Sequence, residues 1–197
     1  MGTSEKTPLI LGMPSRDGTG IVDSLITLPR LGPALDRPVA FAQGEMGNIP
    51  RARNEVLRQV AHNLGSGTYP MLWWDNDIRI PPSQLDAVVD MVTYGLQNNV
   101  AVTANYRMAN GVTVMMKGDR TPGTGSHDTD AELRVMGEWP SVGMSGFGLL
   151  FVPAMSTEYV FRADHHGEDI HFWWDHKDLP LVWAKEVTIY HRKSVWL

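Results

Sequence analysis

Two aspartates separated by one residue, Asp75 and Asp77, follow an apolar stretch of the chain and flank Asn76. Carboxylate oxygens are ligands that Mg²⁺ and Mn²⁺ prefer, and two aspartates at a turn can reach the same ion. Such an ion commonly keeps open positions that substrate phosphates fill. The same pattern also occurs in solvated turns, here ahead of Pro81 and Pro82, which begin a predicted helix.

A second acidic pair, Glu168 and Asp169, provides candidates for a general base. A carboxylate within hydrogen-bond distance of a hydroxyl can take its proton while the oxygen attacks an electrophilic carbon. The pair also lies at the predicted start of a helix, where acidic side chains interact favourably with the helix dipole without any catalysis. Both roles are compatible with each other.

Arg53 lies on the otherwise apolar face of a predicted helix, close to its start. A buried guanidinium needs an anionic partner, and the free amides of a helix start favour phosphate. The partner is therefore either a bound diphosphate or a carboxylate of the chain itself, such as Asp75. The neighbouring Asn54 is a candidate for the same site or for a local cap.

Four histidines lie close together in the last quarter of the chain, at positions His165, His166, His171 and His176. Histidine clusters bind zinc when their spacing brings the imidazoles to one ion. This spacing fits no helical ligand pattern, so a zinc cluster is only an alternative interpretation.

The elements that position these residues alternate between strands and helices. Strands are predicted over 8–13, 38–42, 69–74, 100–106, 149–152 and 181–190, with a further paired strand at 112–116, and helices over 49–64, from 81–83 to about 96, and from about 168. This order predicts an α/β domain with a mostly parallel central sheet flanked by helices. Asp75 and Asp77 then follow the carboxyl end of a strand, where open α/β sheets present ligand-binding groups.

Residues 117–130 are rich in glycine, aspartate and threonine. This composition predicts an exposed mobile loop, which can order over a bound substrate as lids do.

The chain of 197 residues is 43% hydrophobic and contains no cysteine. Its length suits a single domain, and the missing thiols exclude disulfides and thiolate metal sites. The formal net charge of −5 argues against binding held mainly by nucleic-acid phosphates. No signal peptide or apolar stretch of about 20 residues is present, so we expect a cytoplasmic protein.

Four segments together resemble the family 2 type of GT-A glycosyltransferases. They are IPRARNEVLRQVAHNLGSGTYPMLWWDND at 49–77, SVGMSGFGLLFVP at 141–153, GEDIHFWW at 167–174 and VTIYHR at 187–192. Each is common by itself, but together they follow the family's order along nearly the whole chain. The resemblance implies one GT-A domain of the Rossmann-like nucleotide-diphospho-sugar transferase type, with a donor-binding half at about 1–106 and an acceptor or catalytic half at about 135–197.

The implied activity is a metal-dependent, inverting transfer of a sugar from a nucleotide-diphosphate sugar to a hydroxyl acceptor, as in hexosyltransferases. By resemblance, Asp75 and Asp77 contact the donor ribose and Mn²⁺ or Mg²⁺, with His191 as a further metal ligand. Asp169 is favoured as the base over Glu168.

The resemblance also places a donor site and an acceptor side. The donor-binding candidates are Pro14, Ser15, Arg16, Gln43, Arg53, Asn54, Asp75 and Asn76. The resemblance favours a UDP-sugar as donor. Gln43 stands near the position where the family usually has a base-recognising aspartate, and this departure leaves the base open. The acceptor-side candidates are Gly146, which lies in the segment that resembles the family's glycine-bearing acceptor loop, and Trp139 and Trp174. The two tryptophans are candidates because indole faces stack on sugar rings. For each adjacent tryptophan pair, 73–74 and 173–174, core packing is expected of one member.

Two other function classes fit parts of the pattern. Sugar nucleotidyltransferases also combine an α/β sheet with metal-binding carboxylates, but usually carry a glycine-rich basic loop after the first strand, which PSRDGTG at 14–20 matches poorly. A non-catalytic nucleotide-sugar-binding module is the third class. For the enzyme, a glycan, a lipid-linked sugar, a protein or a hydroxylated DNA base can be the acceptor, and the last is of interest because compact enzymes of this type can be virus-encoded.

Overall fold

Short apolar segments form the long strands, and segments with apolar residues at three- and four-residue spacing form the helices. The computed structural model describes residues 6–15, 30–45, 47–105, 115–117, 120–122, 126–127 and 141–191. The strands are β1 (Leu9–Ser15), β2 (Val39–Glu45), β3 (Thr68–Trp74), β4 (Ile78–Arg79), β5 (Ala101–Asn105), β6 (Met115–Lys117), β7 (Ser126–His127), β8 (Met144–Ser145), β9 (Leu149–Ser156), β10 (Leu181–Thr188) and β11 (Tyr190–His191). The helices are α1 (Ile49–Leu64), α2 (Leu85–Asn98) and α3 (Glu168–Asp175), while Pro82–Gln84 form a 3-10 turn and residues 30–35 are also helical.

Six strands form the central sheet in the order β10-β5-β9-β3-β1-β2. The strand β1 pairs in parallel with β2 and β3, and β10 pairs in parallel with β5. Only β9 is antiparallel to both of its neighbours in this sheet, β3 and β5. The predicted α/β class with a mostly parallel sheet is therefore confirmed.

The helices cover both faces of the sheet, because side chains along a strand alternate between its faces. Trp74 packs in one core cluster with Val88 and Val92 of α2. Trp73 packs in the other with Val56 of α1 and Phe172 of α3. Two core clusters thus form between the sheet and the helices, one on each face of the sheet.

Helix α1 has clear end signals. The Asn48 side chain accepts a hydrogen bond from the Arg51 amide at 3.0 Å, Pro50 lies in the first turn, and Gly65 ends the helix with φ of 94°. The helix also packs closely on β2, since a Cβ atom on Gly44 would lie 1.8 Å from the Ala52 carbonyl oxygen. This contact requires glycine and sets the distance of α1 from the sheet.

The predicted exposed loop at 117–130 is wrong for several of its residues. Lys117 ends β6, which pairs with β7, and this hairpin is extended by β8 into a small antiparallel sheet. Arg120 is buried. Residues 118–119, 123–125 and 128–130 lie outside the described part of the chain, so the structure leaves their part of the prediction open.

None of the helices in the described ranges combines the length and apolar character that crossing a bilayer requires.

Candidate functional site

Arg53 stands at the centre of the site and connects three elements. Its side chain is 1% exposed, which agrees with its place on the apolar face of α1. Its Nη2 donates to Asp75 Oδ1 at 2.9 Å, directly after β3, and its Nε donates to Glu168 Oε1 at 3.3 Å, at the start of α3. Two carboxylates of the chain itself, those of Asp75 and Glu168, are thus the partners of this guanidinium.

Aromatic rings surround the same guanidinium. Its Cζ lies 4.7 Å from the centroid of Phe147, 5.3 Å from Trp73 and 5.9 Å from Phe161. Cation–π attraction is stronger at short range and where apolar side chains exclude water. Burial by itself lowers the pKa of Arg53, but the charges of Asp75, Glu168 and Asp169 outweigh it and raise the pKa, so the group stays cationic.

The turn after β3 aims Asp75 into this centre. The Asp75 amide donates to the Gly148 carbonyl at 2.9 Å, and its own carbonyl accepts from the Ile78 amide at 3.0 Å. Its side chain is 20% exposed. Burial raises the pKa of Asp75 to about 6 against the opposing pull of Arg53, and the nearby Asp77 and Glu168 raise it further.

The antiparallel direction of β9 explains why the glycine-rich segment 143–148 meets this turn. Leu149, the first residue of β9, pairs with Trp74, the last of β3. The residues just before β9 therefore lie beside the residues just after β3. This places the buried Gly146 and Phe147 next to the aspartate turn, on the predicted acceptor side.

The predicted donor residues of β1 and β2 meet at the same edge of the sheet. Asn76 Nδ2 donates to the buried Ser15 hydroxyl at 3.1 Å, which joins the turn to the end of β1. Pro14 pairs with Gly44, one residue beyond the half-buried Gln43 in β2. Because β1, β2 and β3 are parallel, their carboxyl ends form one edge, as expected for a ligand site of an α/β sheet.

The second acidic pair, Glu168 and Asp169, begins α3 directly after a glycine with positive φ. Gly167 precedes it with φ of 85°, and Asp169 Oδ1 accepts from the Ile170 amide at 2.9 Å. Burial, followed by the charge of Glu168, raises the pKa of Asp169 to about 6. A carboxyl group that titrates near neutrality is well matched to removing a proton at physiological pH.

Negative charge predominates in this group of side chains. Asp75, Glu168 and Asp169 all interact with the one guanidinium of Arg53, and Asp75 also lies near the like charges of Asp77 and Glu168. In addition to burial, these like charges raise the pKa of Asp75 and that of Asp169. A divalent cation fits such a donor set, since hard cations bind carboxylate oxygens and relieve this repulsion.

The third predicted metal ligand, His191, is brought near by the backbone. Strand β11 pairs with β4 so that His191 lies opposite Ile78, the residue after Asp77. The side chain of His191 lies outside the described part of the structure. Arg16 and Trp139, predicted for the donor and acceptor sides, are also outside it.

Asn54 contacts the protein backbone at both ends of its amide. Its Nδ2 donates to the Phe161 carbonyl at 2.8 Å, and its Oδ1 accepts from the Phe161 amide at 2.7 Å. This pair of bonds attaches the segment after β9 to α1 and holds Phe161 near Arg53. Asn54 thus supports the site through Phe161.

The tryptophan pairs differ in their surroundings. Trp73 and Trp74 are both fully buried, so core packing involves both members of that pair and not one as expected. In the other pair, Trp173 is buried and Trp174 is half-buried, as predicted. Trp174 lies on α3 together with Glu168 and Asp169, which keeps it on the proposed acceptor side.

Three residues in and around the site were not predicted from the sequence. Phe147 lies within the glycine-rich segment, whose pattern predicts a role for Gly146 and none for the phenylalanine. Nothing in the local sequence pattern indicates a role for Phe161. Arg120 lies 4.7 Å from the Trp173 ring and donates to the Gly143 and His176 carbonyls at 2.6 and 2.7 Å. It thereby joins the small sheet to the glycine-rich segment and the end of α3.

Comparison with known proteins adds no relative to this description, because neither a protein-family model nor a curated protein sequence matches the chain.

Proposed function

We propose that the protein is a metal-dependent glycosyltransferase with a GT-A-type domain, which moves a sugar from a nucleotide-diphosphate sugar to a hydroxyl acceptor. The observation that carries the proposal is the shared contact of Arg53 with Asp75 and Glu168. These residues belong to two separate segments that resemble the family 2 type, and residues 53 and 168 are 115 positions apart. Their convergence at the carboxyl edge of the sheet is what one catalytic site requires.

The donor would bind at the edge formed by the ends of β1, β2 and β3. Asp75 and Asp77 would hold Mn²⁺ or Mg²⁺, with His191 as a further ligand. The like charges of Asp77 and Glu168 beside Asp75 favour a cation over a bare diphosphate, which those carboxylates would repel. When bound, the ion would neutralise negative charge on the diphosphate leaving group.

The proposed chemistry at the chain's own residues is a proton transfer and a displacement. Asp169 accepts the proton of the acceptor hydroxyl while that oxygen forms a bond to the anomeric carbon, and the bond from this carbon to the diphosphate breaks with inversion. Arg53 is a positioning residue, since its two ion pairs hold Asp75 and Glu168 in fixed relation to each other.

The first experiment measures thermal stabilisation by a panel of nucleotide-diphosphate sugars, UDP-sugars included, with and without Mn²⁺. A ligand that binds only the folded state raises its apparent stability. We expect a manganese-dependent shift with one donor, lost in Asp77→Asn and kept in the control Asp86→Asn, an exposed residue of α2. A panel without any shift, or a shift that survives in Asp77→Asn, would contradict the proposal.

The second step follows release of the nucleotide from that donor. Asp169→Asn should keep the donor-dependent thermal shift and lower turnover by about 10² to 10⁴-fold, as expected for removal of a general base. Undiminished turnover would exclude Asp169 as the base. A donor shift without turnover even in the wild-type chain, across glycan, protein and hydroxylated-DNA acceptors, would favour the binding module.

A further inference from the structure

A second group of potential metal ligands lies in the loop that leads into α3. Asp164, His165 and His166 are consecutive and exposed, and one ligand atom of each lies within 4.8 Å of the other two. Metal–nitrogen and metal–oxygen bonds of about 2.0 to 2.2 Å place the ligands of one ion roughly 3 to 3.5 Å apart. Small rotations of these exposed side chains are sufficient to close that difference.

The carboxylate of Asp164 is already oriented by two donors. Its Oδ1 accepts from the His166 amide at 2.8 Å and lies 3.0 Å from His171 Nε2. These two contacts hold the carboxylate in one orientation beside the two imidazoles. A carboxylate that binds a metal is commonly held in place by a hydrogen bond from a residue that does not itself touch the ion.

The imidazoles are also restrained on one side. The ring of His166 packs against Trp174 at 5.0 Å between centroids, and the ring of His165 lies 3.9 Å from that of His166. His171, which is only 12% exposed, packs against the same indole at 5.1 Å, and its ring lies 6.4 Å from that of His166. The fourth histidine of the sequence cluster, His176, is excluded because its ring stacks on Phe172 at 4.1 Å and its Nδ1 contacts the Phe172 carbonyl.

We propose that Asp164, His165 and His166 form a binding site for a divalent transition-metal ion, with Zn²⁺ as the expected occupant and His171 as the group that orients Asp164. Two imidazoles and one carboxylate match the ligand preferences of zinc, whereas Mg²⁺ prefers oxygen ligands alone. Three protein ligands leave room for water in the remaining position. The proposal does not depend on the proposed sugar transfer, since it uses none of the residues around Arg53.

The test is equilibrium dialysis of the untagged full chain against Zn²⁺ at neutral pH, with Mg²⁺ in excess to compete at the site proposed around Asp75 and Asp77. The wild-type chain should bind one Zn²⁺ per molecule. The double variant His165→Ala/His166→Ala should bind at least tenfold more weakly, with an unchanged far-ultraviolet circular dichroism spectrum because both side chains are exposed.

Two control variants make the result specific. His62→Ala removes another exposed histidine, on α1, and should leave zinc affinity unchanged. Asp77→Asn should also leave it unchanged. Wild-type affinity in the double variant, or a loss of zinc in Asp77→Asn with retention in the double variant, would overturn the proposal.

Discussion

At the scale of single residues, Arg53 decides the arrangement of the site. It is buried, lies against three aromatic rings and compensates two of the four clustered carboxylates directly. An arginine can serve both partners because its planar guanidinium offers donors in two directions, which the single ammonium of lysine cannot do in the same way.

Replacing Arg53 by methionine should therefore lower the free energy of unfolding by about 3 kcal/mol. The change leaves Asp75 and Glu168 without their cation in a partly buried place, and removing one partner of such a pair is strongly destabilising. Urea unfolding measures the effect. Arg58→Met is the matched control, since Arg58 is exposed and its pair with the half-buried Glu55 on the same helix should contribute less than about 1 kcal/mol. Equal effects of the two changes would contradict the role of Arg53.

Asp169 should make stability depend on pH in an unusual direction. Its pKa is about 6 in the folded chain and near the ordinary 3.8 in the unfolded chain, so between these values the folded state holds a proton that the unfolded state has lost. The contribution of Asp169 to stability is therefore largest at low pH and is lost as the pH rises through 6.

Asp169→Asn removes this dependence, because asparagine does not titrate. Relative to the wild type, the variant should gain roughly 1 to 3 kcal/mol between pH 4 and pH 8. Urea unfolding of both proteins at several pH values in this window provides the measurement. A constant difference across the window would mean that Asp169 titrates normally, and would remove one argument for its role as a base.

At the scale of elements, α1 connects the core to the site. Its apolar face packs on the sheet through Val56, while Arg53 and Asn54 on the same helix reach Asp75 and Phe161. The position of the helix relative to β2 therefore determines whether these contacts form. The close approach at Gly44 controls that position.

Gly44→Ala should destabilise the fold by about 1 to 3 kcal/mol and weaken donor binding at the same time. The added Cβ would overlap the Ala52 carbonyl at 1.8 Å, a backbone atom that only a shift of the whole helix can move. Gly47→Ala is the matched control, since a Cβ there meets no atom within 4 Å. Thermal unfolding with and without donor measures both effects, and similar behaviour of the two variants would refute this reasoning.

At the scale of the whole molecule, the order of strands brings distant segments together. The antiparallel β9 lies between β3 and β5, so its first residues meet the turn after β3. Helix α2 packs on one face, while α1 and α3 share the other and approach each other at Arg53 and Glu168. The site is therefore a property of the sheet order as a whole.

Local patterns were enough to predict most elements. The strands at 8–13, 38–42 and 69–74 and the helix at 49–64, with Asn48 as its cap, form close to the predicted bounds. They were predictable because strand and helix periodicity, caps and glycine ends depend on neighbours in sequence. The burial of Arg53 was predictable for the same reason, since an apolar stripe at helical spacing marks the buried face.

The tertiary structure alone decided which groups meet. The sequence left a diphosphate and a carboxylate as equal partners for Arg53, and the fold supplies both Asp75 and Glu168. It also decided the direction of β9 and the burial of Arg120 in a segment whose composition predicts exposure. These outcomes depend on contacts between residues far apart in the chain, and on the balance between burying a charge and pairing it, which no local pattern encodes.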